Sequence, residues 1–120
     1  AKEASALHLV ERPPYENRKL KDQALKEWRT GFWRVGDRTA DQLIGKKIYL
    51  YDGQKACCSL GGEILAWRPR LDKGPNRKIF YFREIEAFRG APAPEAGWGN
   101  EKCISWKNSK GEALAVTASG

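Results

Sequence analysis

Eleven consecutive residues, Trp28-Arg-Thr-Gly-Phe-Trp-Arg-Val-Gly-Asp-Arg38, carry the strongest chemical signal in the chain. They interleave Trp28, Phe32 and Trp33 with Arg29, Arg34 and Arg38. Aromatic faces stack on unpaired bases and guanidinium groups contact phosphates, so this mixture suits a single strand or an extruded base. Trp28 reads as core. Trp33 fits either core or site, because its place after the expected end of a helix need not bury it. A second stripe comes from Lys46-Lys-Ile-Tyr-Leu-Tyr51. Strand alternation sends Ile48 and Leu50 inward and leaves Lys47, Tyr49 and Tyr51 on the other face, where they can line a ligand groove or form an ordinary polar face. A third candidate is Trp98-Gly-Asn-Glu101, in which Gly97 and Gly99 allow close backbone approach and Asn100 can read a base edge. Trp98 fits equally as a hydrophobic plug.

Catalytic chemistry is poorly represented. His8 is the single histidine, which excludes histidine-pair nucleases and two-histidine metal sites, and no GxSxG, P-loop or Rossmann fingerprint occurs. A Lys/Tyr/Glu hydrolytic site stays open, for instance Lys47 with Glu63, since a buried lysine can lose its proton and act as a base. The three cysteines, Cys57, Cys58 and Cys103, lack CxxC spacing, and the first two are adjacent in a strand-like run and should point apart. They read as core filler in a reducing compartment, with neither a zinc site nor a cofactor expected.

Composition narrows the partner more than the reaction. The 120 residues carry 22 Lys and Arg against 15 Asp and Glu, a formal net charge of +7. Residues 1–40 hold nine basic and six acidic groups, 41–80 eight and four, and 81–120 five of each, so the excess lies in the first eighty residues. Such a field favours polyanions or acidic protein surfaces. No apolar run approaches the roughly 20 residues of a membrane helix, and Ala1 to Val10 has no signal-peptide h-region. The expectation is a cytoplasmic protein that does not engage membranes.

The elements that must position these residues follow from periodicity. Ser5–Val10 reads as a strand closed by Pro13-Pro14. Leu20, Ala24, Leu25 and Trp28 fall at helical spacing behind Asn17, predicting a helix over 18–29 that Gly31 ends. A shorter helix is expected from Asp37, as N-cap, through Ile44, with Gly45 stopping it. From Lys46 the period becomes extended: 46–51, a turn at Asp52-Gly53, 55–60 continued past Gly61-Gly62 to Trp67, then 78–83, 103–106 and an edge at 114–116. The predicted fold is α+β, one domain over 1–120 with frayed ends at 1–4 and 117–120. It combines a bent, mainly antiparallel β-sheet or partly closed barrel with two short helices in the N-terminal half.

The succession of a helix ending in an aromatic, a short helix and the strand Gly45-Lys-Lys-Ile-Tyr-Leu-Tyr51 resembles the PUA-like superfamily, in particular its ASCH and EVE branches. Their corresponding strand reads G-D-x-h-x-h-Y, and Lys46 stands here where Asp is usual. Ser59-Leu-Gly-Gly-Glu-Ile64 resembles the strand that follows it, and the resemblance spans residues 5–106. It implies a PUA-like β-barrel and binding of RNA or of modified DNA bases. Some ASCH members are enzymes with a Lys/Thr/Glu set, which implies Lys47, Thr39 and Glu63 as candidates. The leading expectation is a nucleic-acid-binding module, with Trp33, Arg34, Arg38, Lys47, Tyr49, Tyr51, Trp98 and Asn100 as contacts to RNA or DNA. The competing readings are a small hydrolase acting on nucleosides or RNA, and a module that docks on an acidic protein.

Overall fold

A computed structural model of the chain describes residues 2–118. Seven strands form one mixed sheet: β1 (Glu3–Val10), β2 (Lys19–Asp22), β3 (Glu27–Arg34), β4 (Lys47–Tyr51), β5 (Cys58–Pro69), β6 (Arg77–Glu84) and β7 (Lys102–Lys107). Their order across the sheet is β2-β3-β6-β5-β4-β1-β7. Every neighbouring pair is antiparallel except β1 with β4, which run parallel. One helix, α1 (Asp37–Leu43), crosses from β3 to β4. The α+β class and the mainly antiparallel sheet agree with the sequence reading. The sheet is not closed, since among the described residues no backbone ladder joins β2 or β3 to β7, and a barrel is therefore not shown.

Alternation explains the core. Leu7 and Leu9 of β1, Ile48 and Leu50 of β4, Phe80 and Phe82 of β6 and Ile104 of β7 are buried on the inner face, with Ala40 and Leu43 of α1 packed on them. Register shifts mark bulges in β1, β3 and β5, and a bulge bends the strand that carries it. One end of β3 thereby comes close to β7, where the Lys102 ammonium donates to the Arg34 carbonyl.

The helix expected over 18–29 is instead the β2–β3 hairpin. Leu20 and Trp28, one helical face by spacing, are directly opposed across its two strands. At the turn, the Asp22 carboxylate accepts the Leu25 N–H at 2.9 Å and Lys26 takes φ of 54°. A short polar side chain that bonds its own backbone offers the chain an alternative to the helix. Leu20 and Leu25 are 46% and 62% exposed, so the apparent apolar stripe has no core to cover. Trp33 consequently lies within a strand and not in a loop after a helix.

Smaller corrections follow. α1 is capped by Gly36, and Asp37 is its first residue. β5 resumes only at Cys58, so residues 52–57 form a longer loop than an Asp-Gly turn, and Cys57 is exposed while Cys58 is buried. The edge strand at 114–116 is reduced to isolated bridges of Ala113 and Thr117. Of the ends expected to fray, residues 1, 119 and 120 lie outside the described residues, and β1 already begins at Glu3. Among the described residues no helix is long and apolar enough to cross a membrane.

Candidate nucleic-acid interface

Three cations converge where β3, β6 and β7 meet. Arg34 and Arg77 are directly opposed in the β3–β6 register. Lys102, the first residue of β7, lines the same cavity of about 350 Å³ with Trp33 and Asn100. Burial first, and then the charges of Arg77 and Arg34, lower the Lys102 pKa from its ordinary value. Among the described residues none of the three forms an ion pair with a carboxylate. The neighbouring Glu101 is held by Arg12. Among the described residues the buried Arg77 Nε has no hydrogen-bond partner. Like charges opposed across a strand pair are destabilising, and an orphaned guanidinium N–H adds to that cost.

Trp33 forms the wall of this cavity and of a second one, also about 350 Å³, lined by Glu11, Arg12, Tyr15 and Asn17. Its ring is half-buried and packs on the core. The indole N–H donates to the Glu11 carboxylate at 3.2 Å. The same Glu11 oxygen accepts the Gly31 N–H at 2.9 Å, and its other oxygen lies 3.4 Å from the Arg18 guanidinium. Gly31 sits in the β3 bulge because a Cβ there would meet Asn17 at 2.8 Å. The buried Glu11–Arg18 pair thus fixes the orientation of Trp33 from behind.

The structure brings Trp33, Arg34 and Asn100 together and disperses the other candidates. Arg38 is exposed on α1 and lines neither cavity. Trp28 is half-buried against the core and donates to Glu84 at 2.9 Å. Lys47, Tyr49 and Tyr51 share one face of β4 as alternation requires, but Tyr51 is only 1% exposed. Trp98 lies edge-on to Tyr51 and donates to the Pro94 carbonyl.

The hydrolytic set is not assembled. Glu63 is opposite Lys47 in the ladder, but its carboxylate pairs with Arg83 at 2.7 Å. Thr39 is buried on α1, and no hydrogen bond among the described residues joins it to Lys47 or Glu63. Among the described residues no group of three His, Cys, Asp or Glu side chains can hold a metal ion.

Sequence reasoning missed Glu11, Arg77 and Lys102. Lys102 adjoins the Trp98–Glu101 segment already singled out, so position along the chain pointed toward it. Arg77 becomes visible only through the β3–β6 register. No family model, curated protein or solved structure matches the chain.

Proposed function

We propose that the protein binds single-stranded or extruded nucleic acid at the Trp33 cavity. The observation that carries this reading is the crowding of Arg34, Arg77 and Lys102 beside a half-buried tryptophan, with no carboxylate partner among the described residues. Phosphate oxygens relieve that repulsion by accepting from the accessible guanidinium and ammonium groups, while a base stacks on Trp33 and the Asn100 amide bonds its edge. The reading takes the curled sheet as a variant of the PUA-like fold, whose resemblance implies bases as ligands. An acidic protein would satisfy the charges too, but it gives the indole face no stacking partner. The test is tryptophan quenching by short RNA and DNA oligonucleotides, with poly-glutamate as competitor. The expected result is quenching that is absent in Trp33→Phe only to the extent that Trp33 is the reporter, with oligonucleotide affinity retained in that variant and poly-glutamate displacing little. Oligonucleotide binding that is seen by anisotropy without tryptophan quenching, and that poly-glutamate abolishes, would overturn it in favour of a protein partner.

A further inference from the structure

The outer face of β1, β4 and β7 carries a different cavity, of about 440 Å³, within the range of small-molecule sites. Its floor carries the nearly parallel rings of His8, Tyr49 and Tyr51, with Phe88 behind Tyr49 and outside the cavity lining. Tyr49 stacks on His8 at 5.3 Å and on Phe88 at 4.9 Å, with interplanar angles of 10° and 15°. Gly61, opposite Tyr49 in the ladder, makes room for Phe88, which a Cβ there would meet at 3.0 Å. The loop residues Ala91 and Pro92 form one apolar wall, and Leu114 and Val116 form the other.

The polar handle is Ser105. The His8 Nε2 lies 2.7 Å from its hydroxyl and Nδ1 lies 2.9 Å from the Tyr51 hydroxyl. A neutral imidazole has one donor and one acceptor, so these two partners use both ring nitrogens. Ser105 is half-buried and lines the cavity, and its hydroxyl retains bonding capacity whichever tautomer His8 adopts. If Nε2–H donates to Ser105, the hydroxyl proton is free to donate into the cavity. If Ser105 donates to Nε2, its lone pairs are free to accept. Among the described residues no carboxylate bonds His8 to stabilise an imidazolium, so this hydrogen-bond chain suits recognition and not proton transfer.

Two cations, Lys47 and Lys107, line the cavity and are exposed, and neither forms an ion pair among the described residues. They are separate from the nucleic-acid cluster: Lys107 lies about 17 Å along β7 from Lys102, at roughly 3.4 Å per residue. We infer that this slot binds a small, flat heteroaromatic anion of mononucleotide type, its ring between the apolar walls, its edge bonded by Ser105 and its acidic group held by Lys47 and Lys107. This site is independent of the polynucleotide groove.

Calorimetric titration with the four 5′-ribonucleoside monophosphates, their uncharged nucleosides and inorganic phosphate tests it on the full chain. The expected result is that at least one monophosphate binds about tenfold or more tightly than its nucleoside, the size of one charge-assisted hydrogen bond. The double substitution Lys47→Gln/Lys107→Gln removes that advantage; Ser105→Ala weakens binding several-fold and, because it strips the buried His8 Nε2 of its partner, lowers the melting temperature, so its affinity is read well below the melt. The titration is repeated in the Arg34→Gln/Arg77→Gln background, which weakens any monophosphate held at the other cluster, and there the loss caused by Lys47→Gln/Lys107→Gln persists in full. Absence of binding by any monophosphate at millimolar concentration overturns the proposal. So does nucleoside binding equal to that of the monophosphate, inorganic phosphate binding as tightly as the monophosphate, or monophosphate binding in the Arg34→Gln/Arg77→Gln background that is indifferent to Lys47→Gln/Lys107→Gln.

Discussion

The mouth of the curled sheet and its outer face handle polar groups in opposite ways. At the mouth, Arg34, Arg77 and Lys102 face one another, and a buried guanidinium N–H has no partner. On the outer face, both nitrogens of His8 have partners, and burial pushes its pKa down to about 4, so the ring stays neutral. The first region retains a cost that a bound polyanion would remove. The second has already met its internal hydrogen-bonding needs and has only its rim left to offer. A folded chain keeps uncompensated charge at a price in stability, so the mouth is where a polyanion gains most from binding.

The largest effect expected is on the support behind the mouth. Glu11→Ala leaves the buried Arg18 charge without its partner and should destabilise the fold by about 3–5 kcal/mol. Urea denaturation measures it. A loss below about 1 kcal/mol, the size of an exposed ion pair, would mean that the pair is solvated and does not fix Trp33.

His8 provides the next test. Its folded pKa lies below the ordinary value of 6.5, so the neutral ring's contribution is complete above about pH 6.5. As pH falls from there toward 4, the unfolded chain takes up a proton that the folded one refuses, and stability drops by roughly 3 kcal/mol in total. His8→Gln should lack this component, visible as a smaller difference in denaturation midpoint between pH 7 and pH 4.5. An identical pH response in both proteins would show that the imidazole titrates freely and that the outer face is not closed as described.

Much of this arrangement was legible in the sequence and part of it was not. Beyond Gly45, where Ile48 and Leu50 alternate with Tyr49 and Tyr51, a period of two with one apolar face reads directly as half-buried strand. Before it, Leu20, Ala24, Leu25 and Trp28 satisfy a helical template, yet the same eight-residue spacing pairs Leu20 with Trp28 in a hairpin. The deciding feature, an Asp22 side chain bonding its own turn, leaves no periodic trace. Trp33 and Arg34 stood out by residue type, whereas Arg77 joins them only through a long-range register and a bulge in β3. The burial of Tyr51 likewise depends on loop 90–99, since Trp98 covers its ring.

At the mouth, Trp33 is partly core and partly wall. Trp33→Ala should cost roughly 2 kcal/mol of stability, below the approximately 3–5 kcal/mol of a fully buried aromatic. It should also weaken oligonucleotide binding by about 1–3 kcal/mol in the folded protein. Thermal melts and anisotropy on the one variant give both numbers. A stability loss with unchanged affinity would remove Trp33 from the interface.

The smallest expected effect on stability is the most discriminating in sign. Arg34→Gln relieves the repulsion with Arg77 and should leave the fold unchanged or about 0.2–1 kcal/mol more stable. A clear destabilisation would mean that Arg34 has a structural partner and that the mouth holds no unrelieved charge.

The salt dependence of oligonucleotide affinity bears most directly on the central claim that the mouth is a phosphate site. For a single strand, the logarithm of the binding constant falls with the logarithm of salt concentration at a slope of about −0.7 per phosphate contact. Three contacts, from Arg34, Arg77 and Lys102, predict a slope near −2 for the unsubstituted chain and near −0.7 for Arg34→Gln/Arg77→Gln, with weaker binding throughout. The same slope and affinity in both proteins would contradict the account and place whatever nucleic acid the chain binds elsewhere on its surface.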